Sequence, residues 1–294
     1  MDSKLKVLIV GSTGYVGSLL ARRLKNEPQI ELWTLDRTKD VDAFKFTLNT
    51  SQQAVIGDLR KEETFSKISE AKLVFLIAAD TRRGQSVEDA SNLVLANAWL
   101  PSLVGSYLEK SAAHIVHLGT YSYRQGETND IGQTLYSTTK AAGELVLRYL
   151  SDSSTISLTA LHTYDIYGPN QPQKRLINYV VERIRNKQPM DLSQGEQEIR
   201  PVVVRDVIEA LAGFVKYKRH EKFVEAFDLY GPETLKVKDL PFYVAKSLGI
   251  ELESSLVNLG LPYRPREIMK FEPCHPLPKH YQNWTTLRQA LAEE

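Results

Sequence analysis

The sequence predicts an α/β protein: a doubly wound parallel sheet with helices on both faces, followed by a smaller C-terminal substrate-binding region. Three observations carry this reading. Short runs rich in Val, Ile and Leu alternate with segments of helical period through the first half. Three glycines follow the first of those runs and open the first helix. The second half loses the alternation and becomes proline-rich toward its end, as in "LPYRPREI" and "CHPLPKHY".

Each element has its own signal. "KVLIVG" is a continuous apolar run, as expected of a strand buried on both faces. "YVGSLLARRLKNE" places apolar residues at helical spacing with charges outward. "IELWTLD" and "QAVIGD" read as strands, "KEETFSKISE" as a helix, and "KLVFLIAA" as another buried strand. The helix around "NLVLANAWLPSLVGSYLEKS" contains Pro101, which predicts a kink or break there. "HIVHLG" is the next strand, "YSTTKAAGELVLRYL" a helix, and "SLTALHTYDIYG" a strand and turn. Further on, "KRLINYVVERIRNKQ" is an amphipathic helix and "IRPVVVRDVIEALAGFVKY" combines strand and helix. "AFDLYG" reads as a strand, "KVKDLPFYVAKSLG" as a helix ending in glycine, and "TTLRQALAEE" as a last helix.

Composition narrows the function. A chain of 294 residues makes one large domain or two closely fused ones. With 37 Lys+Arg against 36 Asp+Glu, there is no basic footprint for nucleic acid. Cys274 is the only cysteine, which excludes an internal disulfide and fits a reducing compartment. The six histidines show no ligand spacing, so no metal is expected. No signal-peptide pattern and no apolar run of membrane length is present, and the expectation is a cytoplasmic protein without a membrane partner.

The glycines of "VLIVGSTGYVG" form the Rossmann dinucleotide-binding pattern. Gly11, Gly14 and Gly17 stand between strand and helix, where they allow a tight turn, approach of a pyrophosphate and close packing. The helix N-terminus then offers free N–H groups to phosphates, with Thr13, Tyr15 and Val16 in the same turn. Asp36 ends the second strand, where a carboxylate takes the ribose 2′-OH of NAD, while the adjacent Arg37 suits the 2′-phosphate of NADP. NAD is favoured and NADP stays open. Asp58, with Leu59 beside it, is placed to meet the adenine, and Ala78 and Ala79 are small enough for a strand end to run beneath the cofactor.

Tyr136 and Lys140 stand one helical turn apart and share a face. Near a nicotinamide, Tyr136 serves as general acid or base, and Lys140 is expected to lower the phenol from its ordinary value of about 10. Thr120, at a strand end, orients the reacting oxygen.

This Thr–Tyr–Lys trio with "GSTGYVG" resembles the extended short-chain dehydrogenase/reductases, and within them the nucleotide-sugar epimerases, dehydratases and 4-ketoreductases. The resemblance covers most of the chain. "YSTTKAAGE" matches the family helix including Glu144, and Asn97 its helix Asn. "YDIYGPNQ" matches its Asn-x-Tyr-Gly-Pro segment with Asp165 in place of Asn, and His162 stands where many relatives have Arg. "IRPVVVRDVIEA" resembles its Arg-Asp strand, one residue shorter between Arg200 and Asp206. The resemblance implies a cofactor domain over residues 1–168, with 197–230 returning to it, and a nucleotide-sugar region over 169–196 and 231–294. It implies contact with the cofactor by Asn97, and with the substrate by Arg82, Tyr121, Asn170, Lys174, Arg175 and Arg200. Arg83 stands beside Arg82 in a loop that is either near substrate phosphate or solvated. A homodimer through the Asn97 and Tyr136 helices is implied as well. Three activities stay open: a 4-ketoreductase of 4-keto-6-deoxy nucleotide sugars, a 4-epimerase, and a non-catalytic cofactor-binding sensor. "TYSY" lacks the acids of a dehydratase, and the short loop to Tyr136 favours the reductase.

Overall fold

The structure is a computed structural model and describes residues 4–38, 42–82, 86–123, 134–172, 175–217, 221–263, 267, 269–273, 275–278 and 284–293. The first half runs β1 (Leu5–Val10), α1 (Tyr15–Leu24), β2 (Ile30–Arg37), β3 (Lys45–Asn49), β4 (Ala54–Asp58), α2 (Glu62–Phe65) and β5 (Leu73–Leu76). A long helical run follows, α3 (Val87–Val94), a π turn (Leu95–Trp99) and α4 (Leu100–Leu108), and then β6 (His114–Thr120), α5 (Leu135–Ser153), β7 (Ser157–Thr163) and β8 (Ile166–Tyr167). The second half contains α6 (Leu176–Arg185), β9 (Met190–Ser193), β10 (Glu198–Ile199), β11 (Val202–Val203), α7 (Val204–Gly213), β12 (Val224–Leu229), β13 (Leu235–Lys236), α8 (Leu240–Leu248), β14 (Val257–Leu261) and α9 (Leu287–Ala292).

The main sheet has the order β12-β7-β6-β5-β1-β2-β3-β4. Its strands are parallel from β12 to β2. The order reverses between β1 and β5, the switch point at which open α/β sheets bind ligands. Two apolar layers cover it, one with α1 and α7 and the other with α4 and α5. A third core, built on α6, α8 and α9, belongs to the C-terminal region.

Within this parallel-dominated sheet, as expected, one strand is added: β3 pairs antiparallel with both β2 and β4. The sequence reading passes over β3 because "KFTLN" buries only Phe46 and Leu48, a half-buried alternation flanked by polar residues. The helical run continues through Pro101, with an irregularity, the π turn, directly before it. Pro101 has no N–H for the Asn97 carbonyl four residues earlier, and the π turn absorbs the loss. That carbonyl packs on α5, where a Cβ at Gly143 would sit 2.0 Å from its oxygen.

Residues 269–273 and 275–277 fold back as a strap over the C-terminal end of the sheet. Glu198 N donates to Met269 O at 3.0 Å, and Asp228 N to His275 O at 2.6 Å. His275 N donates to the Asp228 carboxylate at 3.0 Å, Pro276 bridges Asp228, and Leu277 enters the core.

Candidate active site

Two groups of candidate residues stand at the C-terminal ends of β1 and β6, which flank β5 in the sheet. At the first, Gly11 holds φ +93°, and a Cβ on it would lie 2.7 Å from Ala78 Cα. Gly17 lies so near Gly11 that a Cβ would come within 2.0 Å of the Gly11 carbonyl oxygen. The loop is thus pressed onto the end of β5 at the switch point. Gly14 caps α1 with no side-chain hydrogen bond, so the first N–H groups of the helix have no side-chain cap from it. Thr13 and Gly14 are exposed. An exposed helix N-terminus with a glycine at its cap position fits a dinucleotide pyrophosphate.

Asp36 reaches back across this loop. Its carboxylate accepts from Ser12 Oγ at 2.6 Å, Thr13 N at 3.1 Å and Thr13 Oγ1 at 3.4 Å. The buried carboxylate therefore stands at the loop, with Arg37 exposed beside it. Asp58 is gripped by Arg60, whose Nε lies 2.9 Å from Oδ1, and this partner holds the carboxyl down at about 2. Leu59 buries its side chain, donates its N–H to Phe44 O and accepts the Tyr107 hydroxyl at 2.7 Å on its carbonyl. Tyr15 donates to Pro169 O at 3.0 Å, tying α1 to the Tyr-Gly-Pro turn, where Asn170 takes φ 58°. Val16 packs on the apolar layer. Ala79 is exposed beside Ala78 at the end of β5.

Asn97 spends its amide on protein partners. Oδ1 accepts from Asp80 N, and Nδ2 donates to Asp80 O and Thr139 Oγ1, each at 3.0 Å. It thereby fixes the loop after β5 against α5. Arg82 in that loop pairs with Asp80 at 3.2 Å and Asp89 at 3.4 Å. Arg83, Lys174 and Cys274 lie outside the described residues.

At the second end, Thr120 closes β6, its Oγ1 2.8 Å from Ser122 Oγ. Thr134 caps α5 through a reciprocal pair with Ser137, which sets Tyr136 in the first turn. Burial pushes the Tyr136 phenol up, with the Arg175 charge opposing. The net direction is upward because desolvation outweighs the Arg175 charge. Lys140 is 1% exposed, its Nζ has no hydrogen-bond partner among the described residues, and burial pushes it down to about 8 against the pull of Glu144. A protonated phenol with a buried ammonium one turn behind it is a proton donor whose conjugate base is stabilised when formed.

Other candidates hold packing roles in this structure. Tyr121 is buried, stacks on Phe271 at 4.4 Å, and donates to Glu272 O at 2.6 Å. Arg200 lies over the Tyr230 ring at 4.2 Å and donates to Pro232 O at 3.4 Å.

Beneath α5 is a buried polar layer that motif reading largely missed. Glu144 Oε1 accepts from Arg148 Nε at 2.9 Å and Nη2 at 2.8 Å. Its Oε2 accepts from Tyr123 Oη at 2.5 Å and lies 2.8 Å from His162 Nε2. Burial pushes this carboxyl up, but His162 and Tyr123 hold it well below the usual range. His162 Nδ1 stands 3.6 Å from Asp228. His117 and Asp228 complete the layer. Polar letters inside the strand runs "HIVHLG" and "AFDLYG" were the available signal. Among the described residues no His/Cys/Asp/Glu group is arranged to hold a metal, and no helix is long and apolar enough to cross a membrane.

A family model described as the NAD dependent epimerase/dehydratase family matches residues 7–227. The chain is 22% identical over 270 residues to a CDP-abequose synthase of Yersinia pseudotuberculosis, covering 90% of this chain and 91% of that protein. Its fold matches MoeE5 in complex with UDP-glucose and NAD, with a TM-score of 0.76, 18% identity, and coverage of 98% and 96% of the two chains. It also matches UDP-glucuronic acid 4-epimerase from Bacillus cereus in complex with UDP-glucuronic acid and NAD, with a TM-score of 0.76, 16% identity, and coverage of 98% and 96%.

Proposed function

Because the chain belongs to the NAD dependent epimerase/dehydratase family, we propose that it reduces the 4-keto group of a nucleotide-linked 4-keto-6-deoxy sugar with NAD(P)H. The observation that carries this reading is the set of groups around the reacting oxygen: Thr120 and Tyr136 bring hydroxyls, and Tyr121–Tyr123, directly after Thr120, contain no carboxylate. Such a site is poised to give a proton to an oxygen rather than to eliminate water. End-to-end likeness to a CDP-abequose synthase supports a nucleotide-linked sugar as substrate.

NAD(P)H, when bound, supplies the hydride. The glycine loop and the start of α1 hold its pyrophosphate, and Asp36 at that loop favours the form without a 2′-phosphate. Thr120 Oγ1 hydrogen-bonds the sugar oxygen and orients it. Tyr136 Oη gives that oxygen its proton, so the ketone becomes an alcohol. The Lys140 ammonium stabilises the phenolate left behind, and Arg175 adds positive charge on the same phenol. The same reading includes a homodimer through α3 and α5, whose exposed Val87, Val94, Leu145 and Tyr149 offer an apolar face.

The fold shared with a UDP-glucuronic acid 4-epimerase supports a second reading, a 4-epimerase. Supplying NADH or NADPH with a 4-keto-6-deoxy nucleotide sugar tests both. Ketoreduction consumes one cofactor per 4-hydroxy product. Interconversion of two 4-hydroxy sugars without net cofactor use overturns it in favour of the epimerase. Cofactor binding without turnover of either kind points to a sensor.

A further inference from the structure

His117 lies midway along β6, in register with Leu76 of β5 and Ala160 of β7. It is fully buried, and neither ring nitrogen has a hydrogen-bond partner among the described residues. Buried polar atoms in that state are rare and need a physical reason. The helix packed over β6 is α5, whose buried stripe includes Lys140, Glu144 and Leu147. Lys140 is the complementary case: an ammonium has three donors, and here none meets an acceptor among the described residues.

The obvious acceptor on the same face is already saturated. A carboxylate has about four lone-pair sites, and those of Glu144 are taken by Arg148 twice, Tyr123 and His162. Asp228, across the layer on β12, faces His162 and holds the His275 N–H.

We propose that His117 is a positioning residue for Lys140: the unprotonated nitrogen of its neutral imidazole accepts one Lys140 N–H through a single bridging water and holds that ammonium charged behind Tyr136. Burial, then the positive charge of Lys140, pushes the imidazole well below its ordinary value, so one nitrogen is an open acceptor at working pH. The other charges around it are Glu144, His162 and Arg148. A hydrogen bond to the charged amine opposes the burial that pushes Lys140 down to about 8. The functional meaning rests on the reading that Tyr136 is the proton donor.

The test needs no sugar. In protein labelled with ¹³C-lysine and free of ligands, the Lys140 ε-carbon signal is assigned by its loss in Lys140→Met and titrated by NMR. The wild type is expected to titrate near 8 and His117→Leu about one pH unit lower. His117→Asn or His117→Gln should restore the wild-type midpoint, and the one that does so identifies the nitrogen. An unchanged midpoint in His117→Leu overturns the proposal, as does a change that neither amide reverses. Should His117→Leu not fold, the ¹⁵N shifts of the His117 ring decide. Lys140→Met should move the acceptor nitrogen toward the free-imine position, and no movement overturns the proposal. A failed ketoreductase assay leaves this result standing, and a failed titration leaves the reductase reading standing.

Discussion

Strands β6 and β7 present two chemistries on their two faces. Toward α7 they show Val116, Leu118 and Leu161, packed with Val207 and Leu211 in an apolar layer, its polar members His114 and Thr159 hydrogen-bonded to each other at 2.9 Å. Toward α5 they show His117, Gly119 and His162, with Asp228 of β12 beyond them, beneath Lys140 and Glu144. The first face makes the sheet stable by removing hydrocarbon from water. The second places charges in a dry layer, which costs several kcal/mol per ion unless each is paired. Glu144 is paired fully and Lys140 is not, so the cost falls on the group that the chemistry needs charged. The same strands thus anchor the fold on one side and the reaction on the other.

The sharpest way to test this division is to remove the proton donor and leave its ring. Tyr136→Phe should lower turnover by about 10²–10⁴, the usual size of a general acid contribution, with cofactor affinity retained. Near-normal turnover would break the assignment of the α5 side to chemistry. Next in size is Gly14→Val. A Cβ at Gly14 meets only the Gly11 carbonyl oxygen at 3.5 Å, so the fold should persist by circular dichroism. Cofactor affinity, measured by calorimetry, should fall on the order of 100-fold through two lost phosphate contacts.

Lys140→Met should stabilise the protein while disabling it. Lys140 moves from an ordinary 10.5 to about 8 on folding, so at pH 7 it costs about 3 kcal/mol. The unfolded chain binds more protons than the folded one between those two values, so wild-type stability rises with pH across that window. Urea melts at pH 7 and pH 10 should show the gain from Lys140→Met shrinking with pH, and a constant gain would mean that packing rather than charge is responsible. Smallest is Asp36→Asn, which keeps the shape beside Ser12 and Thr13 but removes the charge. The preference for NADH over NADPH in kcat/KM should fall about tenfold, one hydrogen bond's worth, and an unchanged ratio would shift the discrimination to Arg37.

Local motifs made the cofactor end legible. The glycines, Asp36 and the Tyr136–Lys140 spacing each occupy a few consecutive residues whose geometry follows from helix and turn chemistry. What was not legible depends on distant parts of the chain. The direction in which the Tyr136 phenol shifts is set by burial and by Arg175, 39 positions later, and i,i+4 spacing carries no information on either. Tyr121 is a natural substrate contact by its place after Thr120, yet Phe271 and Glu272 fill its surroundings. The π turn before Pro101 was hidden because a proline in a helix has several remedies, and the choice follows from how closely Gly143 lets α5 approach. Strand β3 was missed because a short strand with one buried face needs only two apolar residues.

The strap, residues 269–273 and 275–277, joins the end of the chain to its middle. Synthesis delivers the glycine loop and Asp36 first, and β1, α1 and β2 bring together neighbours in sequence. The seat of Tyr121, beside Thr120, is completed by Phe271 and Glu272, 150 positions and more downstream. Asp228 likewise meets His275 only after those residues have left the ribosome. The nucleotide cradle is thus built within the first 78 residues, whereas the surroundings of Tyr121 wait for Phe271 and Glu272.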